Sequence, residues 1–288
     1  MRLIAFEQAG GARLGVCQEG VVIDLSLAGP GLPGDLLSFV RGGAALQRVV
    51  ADSVRAAGAE ARRPLAELRL LPPLGRPGKI ICLGLNYVDH AAEGGHAKPD
   101  YPSIFLRCAT SLVAHGEPIL RPRCSSKLDY EAELVAVIGH TARHVKRADA
   151  HQFIAGYSCF NDASIRDYQH KTAQWTIGKN FDSTGAFGPW FVTADELPPG
   201  GAGLAIQSRL NGQVMQSANT RDMIFPVDET VALLTECLTL EPGDLIVMGT
   251  PGGVGHTRKP PIFMKTGDTI EIEIESIGVL RNQVEDEA

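Results

Sequence analysis

Residues Leu128 to Ile138 read Leu-Asp-Tyr-Glu-Ala-Glu-Leu-Val-Ala-Val-Ile. As one strand, the period of two places Asp129, Glu131 and Glu133 on one face and Tyr130, Ala132 and Leu134 on the other. Carboxylates at i and i+2 stand roughly 6 to 7 Å apart, so each adjacent pair repels by about 2 to 3 kcal/mol at an effective dielectric near 20. Water or a cation must offset that repulsion. The same chain carries a contrasting acidic strand, Thr269 to Glu275, where Ile270, Ile272 and Ile274 alternate with Glu271, Glu273 and Glu275 as in a sheet with one wet face. The first stretch differs because its acids run directly into Leu134-Val135-Ala136-Val137-Ile138, an apolar run suited to a strand covered on both faces. Taken alone, this leaves two readings open: a cation or catalytic site, and an ion-paired structural cluster.

Other residues could join such a site. Between Gly84 and the Gly94-Gly95 pair, Asn86 is placed to cap a short helix on which His90 and Glu93 stand at i and i+3. A glutamate beside a histidine raises its basicity and fixes its orientation, which suits a water-activating base; a surface ion pair is the plainer alternative. The flanking glycines make the segment a plausible lid. Asp162 ends a second apolar strand near Ile154, where it, Asn161 and Ser164 could equally be helix caps. Lys179 lies between Gly178 and the Asn180-Phe181 pair and could reach inward. The run Gly249-Thr250-Pro251-Gly252-Gly253-Val254-Gly255 lacks the Gly-Lys-Ser/Thr ending of a phosphate loop, so no nucleotide site is expected. A tight loop offering backbone amides and the Thr250 hydroxyl to an anionic substrate is the expectation that remains.

The elements that must hold these residues follow from pattern. The 288 residues are 44% hydrophobic and 21% charged, an ordinary globular composition, and the net charge of −6 with no basic tract excludes nucleic acid as the main partner. No run approaches a membrane span, and the N-terminus lacks a signal-peptide core, so the cytoplasm is the expected compartment. Six scattered cysteines without a Cys-x-x-Cys pair argue for free thiols. Short strand-like runs and a helix over 44–57 suggest a small N-terminal α+β unit over residues 1–72, closed by the Pro/Gly-rich linker Leu71 to Gly78. Residues 73–288 then form a mostly β domain, with a hairpin turn at Asn211-Gly212 and its best amphipathic helix over 227–238.

The order of these pieces resembles the fumarylacetoacetate hydrolase family. The matching text is Gly84-Leu85-Asn86-Tyr87 with Asp89-His90, Leu128 to Leu134, Asn161-Asp162 with Ser164 and Arg166-Asp167, Gln174-Trp175, Gly178-Lys179, Phe181-Asp182, Pro242-Gly243-Asp244 and Gly249-Thr250-Pro251 with Gly253-Val254-Gly255. The likeness spans about residues 79 to 284 and points to the bacterial acylpyruvate hydrolase and 2-hydroxyhepta-2,4-diene-1,7-dioate isomerase-like branch. It implies an α+β, mostly β fold with a mixed sandwich-like, barrel-like catalytic domain. It also implies a magnesium or manganese ion, or calcium, on Glu131, Glu133 and Asp162, with Asp129 outside the ligand set. Lys179 and the lid dyad His90 and Glu93 would be catalytic, and Arg166, Gln169 and Thr250 would contact substrate. Arg107 stands where many relatives have lysine. Relatives are commonly homodimers.

The reaction so implied is hydrolysis of a carbon–carbon bond in a 2,4-dioxo acid or acylpyruvate, passing through a metal-bound enolate. His90, assisted by Glu93, activates water, and Lys179 with the metal stabilises the developing charge. Decarboxylation of oxaloacetate-like acids and isomerisation of unsaturated 2-oxo dioic acids share that intermediate and stay open. A non-catalytic metal- or ligand-binding domain is the reading from a different class.

Overall fold

The computed structural model describes residues 1–8, 10–95 and 97–288. The apolar run after the glutamates becomes the strand Ala132–Ile138, in which every residue is buried. Alternation explains how both its faces are used. Leu134, Ala136 and Ile138 pack in one core with Ile206, Ile272 and Ile274, whereas Val135 and Val137 pack in another with Leu14, Val50, Phe160 and Phe187.

Two sheets provide these cores. A 12-stranded sheet has Ala132–Ile138 near its middle, antiparallel to Ile154–Asp162 on one side and to Leu245–Val247 on the other. Beyond Leu245–Val247 lie Ile80–Gly84, parallel to it, and the outer strand Ser103–Leu106. A 5-stranded sheet runs Gln213–Asn219, Ala205–Leu210, Thr269–Ile274, Gly278–Asp286 and Ile119–Arg121. Its inward isoleucines cover the first face, so the expected wet-faced alternation of 269–275 holds. The hairpin turn is at Asn211-Gly212, both with positive φ, and the helices are Gly43–Ala56 and Val227–Cys237, as the pattern indicated. The whole is the α+β, mostly β arrangement expected.

Residues 1–72 carry strands and a helix of their own and join the rest through sheet and core: Arg2–Gln8 pairs with Gly185–Thr193, and Leu3, Leu14 and Val54 pack with Val135 and Phe160. One expectation changes: Leu128 to Ile138 is not one strand. Leu128–Asp129 pairs with Ser164–Ile165, and the ladder restarts at Ala132. Side chains cause the break by taking over main-chain donors: Asp129 Oδ1 accepts from the Tyr130 amide at 2.9 Å, and Asn161 Oδ1 from the Glu131 amide at 3.0 Å.

Candidate metal and acid–base site

The interruption at Tyr130-Glu131 separates the three acids that a continuous strand would have aligned. Glu131 sits in the break, Glu133 is on the strand opposite Phe160, and Asp162 ends the neighbouring strand. The Asp162 amide donates to the Glu131 carbonyl at 3.0 Å, which ties the two acids together through the backbone. One carboxylate oxygen from each of Glu131, Glu133 and Asp162 lies within 4.8 Å of the others, and all three residues are buried.

Cations are distributed unevenly over this cluster. Lys179 Nζ, 2% exposed, stands 2.7 Å from Glu131 Oε2 and 2.6 Å from Asp162 Oδ2. Arg166 Nη2 lies 2.7 Å from Glu131 Oε1, and Arg107 donates to Asp162 Oδ1. Burial works to raise the Glu131 carboxyl, but Lys179 and then Arg166 overcome it and hold Glu131 far below the carboxylate range. Burial likewise works to lower the Lys179 ammonium, and Asp162 and Glu131 more than offset it. Among the described residues Glu133 has only the Gly249 amide, at 2.6 Å, so burial, Asp162 and Glu131 push its carboxyl well above the usual range. A buried all-oxygen donor set with one carboxylate lacking a cationic partner fits a hard divalent ion. Glu131, Glu133 and Asp162 are the residues that would hold it.

Asp129 goes elsewhere. Its carboxylate accepts from Arg166 Nε at 2.8 Å and from the amides of Gly255 at 2.8 Å and His256 at 3.0 Å. Burial opposes its ionisation, and Arg166 with His256 restores it, so the group is held low. The glycine-rich run is thus an anion-binding loop whose anions belong to the protein. The Gly249, Gly253 and Gly255 amides go to Glu133, Glu93 and Asp129, which corrects the expectation that they reach an incoming substrate. Gly255 is required there, since a Cβ would stand 1.9 Å from the Ile262 carbonyl oxygen and 2.5 Å from Asp129 Oδ1.

The dyad forms as the spacing indicated. Val88–Glu93 is helical, and His90 Nδ1 is 3.0 Å from Glu93 Oε1. Glu93 Oε2 accepts from the Gly253 amide at 2.9 Å. Burial would raise the Glu93 carboxyl, but His90 and Gly253 hold it lower than usual. Asn86 is not the cap of this helix, a position taken by Tyr87. It is fully buried, donating to the carbonyls of Phe225 and Met248 and accepting from the Phe225 amide, so it anchors the helix's entry to the core.

A pocket partly open to solvent collects these groups: His90, Glu131, Glu133, Arg166, Gln169, Lys179 and Thr250 all line it. Asp162 and Glu93 stand behind that lining as partners of Lys179 and His90. Arg107 also lies behind Asp162, fixed by Ser111, Thr184 and the Ala163 carbonyl, so it acts on the cluster and not on the pocket. Trp175 forms a wall, so close that a Cβ on Gly84 would stand 2.0 Å from its ring. Sequence reasoning missed three residues. Gln216 donates to Thr250 Oγ1 at 2.7 Å and accepts from the Ala132 amide at 3.0 Å, and His170 and His256 line the pocket. Nothing in the spacing of Gln216 or His170 marks them, whereas His256 follows the glycine run directly.

The family described as Fumarylacetoacetate (FAA) hydrolase C-terminal matches residues 79–285. Over 290 residues the chain is 39% identical to the mitochondrial oxaloacetate tautomerase FAHD2A of Bos taurus, covering 99% of this chain and 91% of that protein. Among solved structures, fumarylacetoacetate hydrolase from Exiguobacterium antarcticum superposes with a TM-score of 0.86 at 35% identity over the whole of both chains. Maleylpyruvate hydrolase from Sphingobium sp. SYK-6, in complex with manganese(II) and pyruvate, does so with a TM-score of 0.82 at 30% identity, again over the whole of both chains. No described helix is long and apolar enough to cross a membrane. With the family match over the site-bearing residues and full-length likeness on both comparisons, this chain is a member of the fumarylacetoacetate hydrolase family.

Proposed function

We propose that the protein is a divalent-metal-dependent enzyme that interconverts the keto and enol forms of a small 2-oxo acid of the oxaloacetate type. The observation that carries this is the convergence, on one pocket, of an oxygen-donor cluster short of positive charge and a separate imidazole–carboxylate pair. The 39% identity to an oxaloacetate tautomerase over nearly the whole chain supports the choice of reaction.

A divalent ion on Glu131, Glu133 and Asp162 would polarise the 2-oxo group and acidify the adjacent carbon. His90 supplies the proton transfer. With Nδ1 held by Glu93, its Nε2 takes the proton from the carbon beside the carbonyl and returns one to the oxygen, or the reverse. Lys179 is kept cationic by Glu131 and Asp162, so its ammonium offsets the negative charge that grows on the oxygen.

A second reading is hydrolysis of a 2,4-dioxo acid or acylpyruvate, favoured by the same dyad. A histidine locked by a carboxylate that the Gly253 amide also holds can orient a water as readily as a C–H bond. The likeness to maleylpyruvate hydrolase supports this reading. The test is the decay of enol-oxaloacetate absorbance with magnesium or manganese, run beside mass analysis of acylpyruvates, oxaloacetate and unsaturated 2-oxo dioic acids. Metal-dependent enol decay without new acids is expected. Carboxylic acid and pyruvate formed from an acylpyruvate, with enol decay at the background rate, would replace tautomerisation by hydrolysis; loss of carbon dioxide would identify a decarboxylase.

A further inference from the structure

The permanent cations around the pocket are already engaged. Lys179 bridges Glu131 and Asp162, and Arg166 divides its guanidinium among Asp129, Glu131 and the Gln169 side-chain oxygen, at 2.8, 2.7 and 2.8 Å. His90 is paired to Glu93. A ligand whose head sits at the carboxylate cluster therefore meets no uncommitted Lys or Arg side chain among the described lining residues.

Two imidazoles occupy the same lining next to Arg166. His256 Nδ1 stands 3.3 Å from Asp129 Oδ2, the oxygen that also receives Arg166 Nε, and the His256 ring is 5.9 Å centroid to centroid from that of His170. Asp129 holds His256 by the backbone amide, which keeps Nδ1 close to the carboxylate although Nδ1 itself makes no hydrogen bond among the described residues. Imidazole geometry then puts Nε2 on the side of the ring away from Asp129. His256 is about a quarter exposed, unlike the fully buried carboxylate that orients it. The result is a side chain with one nitrogen beside Asp129 and the other turned away from it, separated from Glu131 by two intervening residues, Asp129 and Arg166.

We propose that His256, oriented by Asp129, forms with His170 a subsite for the second carboxylate of a dicarboxylic 2-oxo acid, so that the enzyme selects dicarboxylates over monocarboxylates. This rests on the 2-oxo acid reading of the site but not on which reaction follows. The contrast with Arg-based carboxylate binding has a physical reason. Freeing the Arg166 guanidinium would strand Asp129 and Glu131 in the interior, whereas His256, with both ring nitrogens protonated, can donate from Nε2 while its backbone and Nδ1 stay beside Asp129.

The test uses the manganese-loaded protein and two probes in calorimetric titrations. Oxalate is a chelating head alone, both of its carboxylates being part of the chelate; 3,3-difluorooxaloacetate adds a carboxylate beyond the head and has no hydrogen on C3, so it cannot enolise. In His256→Ala, affinity for difluorooxaloacetate is expected to fall roughly tenfold or more, the cost of a hydrogen bond to a charged group, with oxalate unchanged. His256→Gln, which keeps a donor, should recover part of the loss, and His170→Ala should lower difluorooxaloacetate affinity selectively. Equal weakening of both probes would show that His256 supports the cluster, and unchanged affinity for both would show that the second carboxylate lies elsewhere. Either result overturns the proposal. If neither probe binds the manganese-loaded wild type, the 2-oxo acid reading itself fails, an outcome separate from the others.

Discussion

The chain uses the spacing Glu-x-Glu in two contrasting places, Glu131-Ala132-Glu133 and Glu271-Ile272-Glu273, and makes different things of it. On the strand Thr269–Ile274 the two glutamates are half-buried and flank buried isoleucines. Arg209 Nε is 2.9 Å from Glu271, Arg209 also donates to Glu273, and Gln207 adds a bond to Glu273 at 3.1 Å. Arg281 Nε also stands 3.8 Å from Glu271 Oε1, so two surface arginines and solvent exposure are enough. At the pocket, Glu131 and Glu133 are nearly inaccessible, a third carboxylate is brought up by the next strand, and cations reach Glu131 and Asp162 but not Glu133. Spacing is common to both; burial and the local excess of negative charge are not. Those two properties set the candidate cation site apart from the partly solvated face of a central strand.

The largest effects should come from treating the two site glutamates as different from each other. Glu131→Gln leaves Lys179 and Arg166 each short of a buried partner, and should lower metal-free stability by about 3 kcal/mol. Glu133→Gln removes a carboxylate that repels its neighbours, so metal-free stability should stay within about 1 kcal/mol or rise. Both should lose metal affinity by about a hundredfold or more, beyond the loss typical of outer-shell partners. Chemical denaturation and metal titration of the two variants check this, and equal destabilisation would remove the asymmetry. His90→Ala should depress turnover by roughly 10² to 10⁴, the usual share of a general base, with metal affinity kept. Turnover unchanged in an enol-decay assay would exclude His90 as the proton-transfer group.

The asymmetry also has a pH signature in the metal-free protein. The Glu133 carboxyl is raised on folding, so above the unfolded value near 4.5 the folded state holds a proton that the unfolded state has lost. Stability should therefore fall as pH rises from there towards the folded value. The Glu131 carboxyl is lowered, so its contribution is complete above 4.5 and is lost as pH falls below it. Denaturation midpoints across pH 4 to 8 should decline with rising pH without metal and should decline less in Glu133→Gln. A midpoint that climbs across that range in the metal-free wild type would contradict the uneven charge distribution.

Much of this site was legible in the sequence. The apolar run behind the acids marked a strand covered on both faces, and the i, i+3 pair of His90 and Glu93 met as its spacing required. The resemblance directed attention to Asp162 and Lys179, which the fold brings to the cluster from the next strand and from a short helical turn. What could not be read was set by side chains competing for main-chain groups. Asp129 and Asn161 capture the amides that would have continued the strand, and the glycine-loop amides are taken by Glu133, Glu93 and Asp129. Period-two arithmetic has no means of seeing such competition, because the acceptors come from the same residues it assigns to a face. Gln216 and His170 were invisible for another reason: their positions depend on how separate elements pack, with no local pattern to carry the information.

The smallest predicted effect is the sharpest check on the lesson of the two triplets. Glu273→Gln keeps the side-chain shape and an acceptor for Arg209, and removes a charge from a partly exposed strand. Ion pairs of this kind contribute about 0 to 1 kcal/mol, so stability should change by no more than about 0.5 kcal/mol, and metal affinity and turnover should not change. The counterpart at Glu133 keeps shape in the same way and should lose metal affinity by about a hundredfold or more. If Glu273→Gln also reduced metal affinity, the acidic strand would be electrostatically coupled to the site across the core. The distinction would then rest on distance from the pocket, with burial no longer the deciding property. Salt separates these cases, since a screened surface charge loses its influence over about 8 Å at physiological ionic strength whereas a buried one does not. Repeating the metal titration of Glu273→Gln at low and high salt should give the wild-type affinity at both.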